Sequence, residues 1–424
     1  MYLKGSKWSM TKKRKPLNLF RVLVLIILIA IAIYFNRVVV PTIPTPFVAT
    51  PTPTRAPETY LKEAEGLFAD GKLFQAIAVY KEAISVQPTN PNTYIDMARV
   101  QIFAGQFDEA LTSSEDALLL SSNNSMAYAV RGWAFTKKGN YIDAETALKK
   151  AISIDANNGQ AHAYYAELLG LMYQNNSGPF DSIDLASEES RVAASLAPNS
   201  IEANFARGFI LEITDNRELA VQAYLAAINI NPNISEIHLA LGRTYKALGA
   251  IANAIDEYTL ANTLNPSDPL PNLYTSRAYA ASGDFAKAVQ SAELAVNSAP
   301  SDAYMIGNLG LMLYRNFQWP DAVTQFSLAI DGGSTADGKT ITPLVLKGDD
   351  LYITIYYYTY ALVLAHTNHC REVVNIAKII LENVPNDADA TFNAQAALDL
   401  CGNSLLTPSP TTTGLVTPQV TPTP

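Results

Sequence analysis

Apolar and small residues recur along the chain with a spacing typical of paired helices. In "YKEAISVQP", from Tyr80, and in "YLAAININP", from Tyr224, a tyrosine is followed by an alanine, an aliphatic residue and a closing proline. Pro232, Pro266 and Pro300 follow one another at intervals of 34 residues. A fixed period of this length indicates a stacked helical array, in which each unit is covered by its neighbours.

The clearest unit covers residues 235–268, where Gly249 separates two helical stretches. In the second stretch Ala254, Tyr258 and Ala261 fall at positions i, i+4 and i+7, which lie on one face of a helix. Pro266 cannot continue that helix, so the unit ends there.

Small residues in this unit have a packing role. Two antiparallel helices approach each other most closely at Gly242 and Ala254, where bulk would separate them. Leu241, Tyr245 and Tyr258 are large enough to fill the remaining space and to contact the next hairpin.

Two alanine positions repeat through almost the whole of residues 58–402. The first series is Ala76, Ala110, Ala144, Ala186, Ala220, Ala254, Ala288 and Ala322. The second, seven residues later, is Ala83, Ala117, Ala151, Ala193, Ala227, Ala261, Ala295 and Ala329. Units therefore begin near residues 57, 91, 125, 159, 201, 235, 269, 303 and 354.

This pattern resembles the tetratricopeptide repeat (TPR), a 34-residue helix–turn–helix unit with the signature W-x2-L-G-x2-Y…A-x3-F…P. The resemblance implies an all-α, right-handed TPR solenoid of about nine hairpins, closed by a capping helix over residues 388–402. Departures occur at the closing proline (Ser122, Ala156 and Ser334) and in the ninth unit, where Val373 and Ile380 replace the alanines.

Two inserts interrupt the period, one near residues 172–182 and one near 337–353. The first lies at a turn between helices, and the second contains a short β-like stretch, "TITPLVL". Inserts in solenoids protrude as loops, either beside a binding face or as neutral loop growth.

The ends of the chain differ from the array. Residues 1–19 form a basic tail, and residues 20–40 contain an uncharged run, Val22–Phe35, long enough with its apolar flanks to span a bilayer. The basic side is expected in the cytoplasm, which puts the array outside it. A cleaved signal peptide is the competing reading, although no small-x-small site follows Phe35; a buried core helix fits poorly because the run is not amphipathic.

Proline- and threonine-rich segments flank the array. Residues 41–57 are expected to be an extended spacer, and residues 403–424 a disordered tail that is either a solubilising end or an O-glycosylated stalk. The first 21 residues carry seven Lys or Arg, which leaves −9 − 7 = −16 on the remainder. This acidic balance argues against nucleic acid as a partner.

Cys370 and Cys401 are the chain's two cysteines. In the repeat register Cys370 lies at the turn of the ninth unit, and Cys401 at the end of the helix that returns to that edge. We therefore expect a disulfide that holds the cap, rather than two free thiols, with a contribution of about 3 kcal/mol on chain-entropy grounds. His366, His369 and Cys370 are close in sequence, but without a fourth ligand we predict no metal site.

Catalytic motifs are not evident. No nucleophile elbow, phosphate-binding loop or paired-acid site occurs in a supporting context, so we predict neither enzymatic activity nor a cofactor.

By resemblance to the family, the first helices line a concave groove. The inward positions carry aromatic residues: Trp133, Tyr164, Phe205, Phe209, Tyr274, Tyr304, Tyr314 and Tyr358. They also carry cations: Arg99, Arg243, Lys246, Arg277 and Arg315. Arg243 and Arg277 share the ninth position of adjacent units, so they are candidates to bind a carboxylate or acidic peptide beside Trp133, Phe209 and Tyr274; the alternative is that the aromatic residues serve packing. The family's two-carboxylate clamp residues are not present at their positions.

These features predict a single-pass membrane protein with a cytoplasmic N-terminus and an extracytoplasmic TPR scaffold that binds a protein or peptide partner. Two alternatives remain open. The array could self-associate or dock within an envelope complex, or it could be a non-catalytic subunit that presents substrate to an enzyme.

Overall fold

The computed structural model describes residues 18–39 and 55–402, so the predicted basic tail, most of the spacer and the C-terminal tail lie outside it. The chain divides into two parts, Met1–Ala56 and Pro57–Pro424. In the first, helix α1 (Leu19–Tyr34) continues into a π-helical turn, Phe35–Val39. Within the described residues, Leu19–Val38 is the one helix whose length and composition suit a membrane span; a signal sequence would meet the same criteria.

Over residues 57–402 the second part is almost entirely helical, and the helices described there pair as nine hairpins followed by one more helix. The first helices are α2 (Pro57–Ala69), α4 (Pro91–Phe103), α6 (Ser125–Lys137), α8 (Gly159–Gln174), α10 (Ile201–Ile213), α12 (Ser235–Ala247), α14 (Leu270–Ala281), α16 (Ala303–Arg315) and α18 (Leu351–His366). The second helices are α3 (Leu73–Val86), α5 (Phe107–Leu120), α7 (Tyr141–Ile154), α9 (Ser182–Leu196), α11 (Arg217–Ile230), α13 (Ile251–Leu264), α15 (Phe285–Ser298), α17 (Trp319–Ile330) and α19 (Cys370–Asn383). Helix α20 (Ala388–Leu400) closes the array at the predicted cap.

Local sequence explains where these helices begin and turn. Asn124 and Asn158 accept hydrogen bonds from the backbone N–H groups of Ala127 and Ala161, which caps α6 and α8 at the junctions between units. Between the two helices of the sixth hairpin, Gly249 takes a φ of 77°, which few other residues adopt. The same turn in the eighth hairpin holds Phe317 at a φ of 62°.

Side-chain volumes are matched across each hairpin. A Cβ on Gly242 would lie 2.5 Å from the Tyr258 ring, so only glycine lets α12 and α13 pack at this distance. Three further pairs have the same relation: Gly132 with Leu148, Gly208 with Tyr224, and Gly310 with Phe326. Where the first position is instead Ala98 or Ser276, the partner position 16 residues later is Ser114 or Ala292. In the fourth unit, whose insert adds eight residues, Ala166 corresponds to Ser190, 24 residues later. Residue volume is thereby conserved within the pair.

The two inserts differ in how they are accommodated. Helix α8 extends to Gln174, and residues 175–181 then form a loop at whose tip Phe180 is fully exposed. The second insert forms a short antiparallel pair, β1 (Gly333–Ser334) and β2 (Thr340–Ile341).

The second insert is not a protruding loop, contrary to the expectation from sequence. Ile341 and Leu346 are buried, the Leu344 N–H donates to Ala329 O at 2.9 Å, and Tyr357 Oη donates to Leu344 O at 2.7 Å. Its aliphatic side chains have apolar surface to bury, so the segment packs against α17 and α18. Helix α18 consequently begins at Leu351, three residues before the predicted start of the ninth unit.

Candidate functional site

The first helices of the hairpins form the inner layer of the array. Consecutive first helices contact one another, from α4 with α6 through to α16 with α18. In a curved stack the layer in which neighbouring units approach most closely is the concave one, so these helices carry the candidate binding face.

Aromatic rings fill the inner face of the first units. The ring centroids of Phe68 and Phe103 lie 5.5 Å apart, those of Phe103 and Trp133 5.1 Å, and those of Trp133 and Tyr164 4.5 Å. Trp133 is 2% exposed and its Nε1 donates to Glu167 Oε2 at 2.9 Å. The predicted groove residue Trp133 is therefore a packing residue, not a free ligand contact.

Ion pairs connect the inner helices, both between adjacent units and between units far apart in sequence. Arg99 Nη2 lies 2.5 Å from Glu202 Oε1, which connects the second unit to the fifth. Lys137 Nζ lies 2.7 Å from both Glu167 Oε1 and Glu236 Oε1, which connects the third unit to the fourth and sixth. These contacts occupy Arg99, one of the cations that the sequence places on the inner face, and Lys137, which the sequence analysis did not single out.

The electrostatic consequences differ between the buried carboxylates. Burial alone would raise the pKa of Glu202, but Arg99 and the Ser200 hydroxyl hold that pKa below its usual range. Burial raises the pKa of Glu167, and Lys137 only partly offsets this.

The first hairpin also reaches the loop before α12. Asn231 Nδ2 donates to Phe68 O at 3.2 Å, and Asn233 Nδ2 donates to Ala69 O at 2.7 Å. A cavity of only about 10 Å³ remains, which is room for one water molecule at most. It is lined by Phe103, Trp133, Glu167, Ile201, Glu202, Phe205, Glu236 and Ile237. The inner face of the first five units, up to the start of α12, is thus largely occupied by the chain itself.

Phe209, the other aromatic residue predicted for the groove in this half, is 8% exposed. Its ring lies against Gly170, where an added Cβ would come within 2.7 Å of it. Phe209 therefore fills the interface between α8 and α10, and the expectation that it faces an open groove is corrected.

Arg243 and Arg277 are both engaged by other residues. Arg243 Nε lies 3.2 Å from Glu212 Oε1, with a third of its side chain exposed. Arg277 is 7% exposed; its Nε donates to Asn308 Oδ1 at 3.1 Å and its Nη2 donates to Tyr356 Oη at 3.0 Å. The Arg277 guanidinium carbon also lies 3.3 Å from the ring centroid of Tyr352. The two arginines share the predicted register, but each has its own set of contacts.

The remaining predicted residues, Lys246, Tyr274 and Arg315, stay accessible. Lys246 and Tyr274 are half-buried, and Arg315 is exposed. The Tyr274 ring stacks on Tyr258 at 5.6 Å. In the part of the chain that the structure describes, neither Lys246 nor Arg315 forms an ion pair. The last four units therefore carry accessible cations and an accessible aromatic side chain at positions that the repeat register assigns to the inner face.

Sequence patterns did not identify Glu167, Glu202, Glu212 and Glu236, the carboxylates that bind the inner cations. They lie on the same first helices at inner or adjacent positions. Checking the inner repeat positions for acidic as well as basic residues could therefore have identified them. The pairing of Glu202 with Arg99 and of Glu236 with Lys137, each across three units, had no signal in the sequence.

The end of the array holds the two cysteines. Cys370 and Cys401 form a disulfide that links the start of α19 to the end of α20. His366 stacks on Trp319 at 4.6 Å, and His369 Nδ1 is hydrogen-bonded to Thr367 Oγ1 at 2.8 Å. Within residues 18–39 and 55–402, no group of three or more His, Cys, Asp or Glu side chains could hold a metal ion.

Sequence models of the tetratricopeptide repeat match residues 67–132 and, in a second model, residues 127–158, 201–234 and 235–268. With the hairpins of the same period described above, these matches define a helical repeat array of the protein-binding class. The chain belongs to the tetratricopeptide-repeat proteins.

Several solved structures are similar to the array. One is PilF of Pseudomonas aeruginosa, with 22% identity over 48% of this chain and 88% of that chain at a TM-score of 0.40. A second is YrrB, described as a TPR protein with an unusual peptide-binding site, with 22% identity over 45% of this chain and 95% of that chain at a TM-score of 0.27. A third is yeast Tom70, with 14% identity over 81% of this chain and 88% of that chain at a TM-score of 0.37. At these TM-scores the likenesses carry no functional argument. No curated protein matches the chain.

Proposed function

We propose that this chain is a membrane-anchored, extracytoplasmic TPR scaffold, without catalytic activity, that binds a protein partner on the inner face of its last four units. The observation that carries this proposal is the contrast between the two halves of the inner face. The first half is filled by its own aromatic rings and ion pairs, whereas the second presents Lys246, Tyr274 and Arg315 to solvent. Accessible aromatic and cationic side chains are the usual anchors of protein interfaces.

Two observations support the anchor and the location. Leu19–Val38 has the length and composition of a membrane-spanning helix, and the positive charge lies on its N-terminal side. The Cys370–Cys401 disulfide suits an oxidising compartment outside the cytoplasm.

A site-specific photo-crosslinking experiment tests the binding face. A photoreactive residue is placed at Tyr274 or Arg315 in the full chain, and the matched control position is Leu260, which is exposed on a second helix. We expect adducts with one partner protein from the two inner positions and none from Leu260. Adducts from Leu260 alone would contradict the proposal, and adducts between two copies of the chain would favour self-association.

The topology has a separate test. A tag at the C-terminus of the full chain is expected to be removed by protease added outside intact cells, while the chain stays in the membrane fraction after a high-salt wash. A tag protected until the membrane is broken would place the array in the cytoplasm. Release of the array into the soluble fraction would identify residues 20–40 as a cleaved signal.

A further inference from the structure

Three positions of the repeat form a hydrogen-bonded group in one part of the array, and one of the three carries a different side chain 34 residues later. In the fifth unit Glu212 accepts a hydrogen bond from Tyr224 Oη at 2.7 Å, and Arg243 of the sixth unit lies 3.2 Å from the same carboxylate. Thirty-four residues later, the equivalent positions are Lys246, Tyr258 and Arg277. The carboxylate of the first trio is thus replaced by a lysine, while both of its hydrogen-bond donors are kept.

Tyr258 is affected directly by this replacement. Its side chain is completely buried, and its Oη has no hydrogen-bond partner among the described residues. Buried hydroxyl groups are nearly always hydrogen-bonded. The ring is held between Gly242 and Tyr274, so it cannot turn its hydroxyl toward solvent without disturbing the hairpin.

Arg277 likewise has no carboxylate partner among the described residues. It donates to an amide and a phenol oxygen and lies over the Tyr352 ring, but no carboxylate within residues 55–402 pairs with it. Lys246 also has no ion pair there, and its side chain is half-buried and flexible. Among the described residues, Arg243 is therefore the one of these three cations that pairs with a carboxylate, that of Glu212.

We propose that this region is a carboxylate-binding subsite, in which an acidic group of the partner accepts a hydrogen bond from Tyr258 Oη and pairs with Lys246, as Glu212 does for Tyr224 and Arg243. This rests on the proposed protein-binding function and adds the chemistry of the ligand. The carboxylate is either an Asp or Glu side chain or the α-carboxylate of a C-terminus. Lys246 moves from its half-buried position to bind it.

The decisive variant is Lys246→Glu, which restores within the chain the carboxylate found at Glu212. The full chain in detergent micelles is titrated with acetyl-hexaglutamate amide, which carries only side-chain carboxylates, and with acetyl-hexaalanine, which has a free C-terminus. We expect one of the two peptides to bind, which identifies the source of the carboxylate. Lys246→Glu should weaken that binding at least tenfold while raising Tm, because Tyr258 gains an acceptor.

Two further variants separate the subsite from general charge attraction. Tyr258→Phe removes only the hydroxyl and should weaken binding about threefold or more without lowering Tm. Lys150→Glu makes the same charge change at an exposed position on α7 and should leave binding unchanged within twofold. Equal losses in Lys246→Glu and Lys150→Glu, an unchanged affinity in Tyr258→Phe, or no binding of either peptide would each overturn the subsite.

These outcomes are distinguishable from failure of the proposed function. If inner-face photo-adducts persist in Lys246→Glu, the partner-binding function stands and the subsite is refuted. If the unaltered chain gives no inner-face adducts, the proposed function itself is refuted, whatever the peptides do.

Discussion

At the scale of single residues, close approach between helices depends on pairs of side chains rather than on either member. Gly242 and Tyr258 are an example: the tyrosine ring occupies the volume that a Cβ at residue 242 would need. Sequence alone indicated that Gly242 marks a point of close approach. It did not identify Tyr258 as the contacting group, because that depends on the crossing of α12 over α13.

Gly242→Ala is expected to destabilise the array by about 1–3 kcal/mol, because the added methyl group overlaps a buried ring that cannot move. Gly66→Ala is the matched control, since no atom lies within 4 Å of the position its Cβ would take. In the interior of α2 that change should stabilise the helix by about 0.5–1 kcal/mol. Thermal unfolding of the full-chain variants checks both, and equal shifts in Tm would contradict the packing argument.

His162 gives a residue-scale prediction about pH. A hydrogen bond with Glu189 raises its pKa, and burial opposes this. A folded-state pKa above the unfolded value near 6.5 means that the stabilisation is complete below that value and is lost as pH rises through the raised pKa. We expect the difference in Tm between the unaltered chain and His162→Gln to shrink from pH 6 to pH 9. A difference that stays constant or grows with pH would be inconsistent with this pairing.

At the scale of elements, the 34-residue period located the hairpins and the cap, because each helix is specified by a local pattern and a local turn. Helix α20 begins at the predicted residue 388. The second insert was harder to predict, because a segment with alternating aliphatic residues packs wherever neighbouring helices leave apolar surface. Its anchoring to Ala329 and Tyr357 depends on α17 and α18 together.

The cap gives the prediction at this scale. Replacing both cysteines by serine is expected to lower the free energy of unfolding of the cap by about 3 kcal/mol, since the bridge closes a loop over a sequence separation of 31 residues. In a repeat array this loss should be local. Hydrogen exchange should therefore become faster in α19 and α20 and remain unchanged in α4 to α7; a uniform increase would contradict this.

At the scale of the whole array, the chain fills the inner face of its own first half. Arg99 and Glu202 lie 103 residues apart in sequence, and Asn233 reaches the backbone of Ala69 across 164 residues. Such contacts require several units to curve around a common axis. They also confine the candidate binding face to the last four units.

The Arg99–Glu202 pair provides a test of these contacts between distant units. Arg99→Met leaves Glu202 buried without its ion-pair partner and is expected to cost about 3–5 kcal/mol. The double variant Arg99→Met with Glu202→Met should recover most of that loss, because no unpaired charge remains. Chemical denaturation measures the stability, and small-angle X-ray scattering should show a larger radius of gyration for the single variant. No recovery in the double variant would mean that the ion pair is not the source of the effect.

The sequence by itself determined the repeat, the number of hairpins and the cap, because these follow from period and register within one or two units. Only the tertiary structure decided that Trp133 and Phe209 are buried and that Arg277 is enclosed by Tyr352 and Tyr356. It also decided that, among the described residues, Tyr258 Oη has no hydrogen-bond partner. The physical reason is that small rotations between successive units add up along the array. Contacts between distant units depend on that sum, which no local pattern specifies.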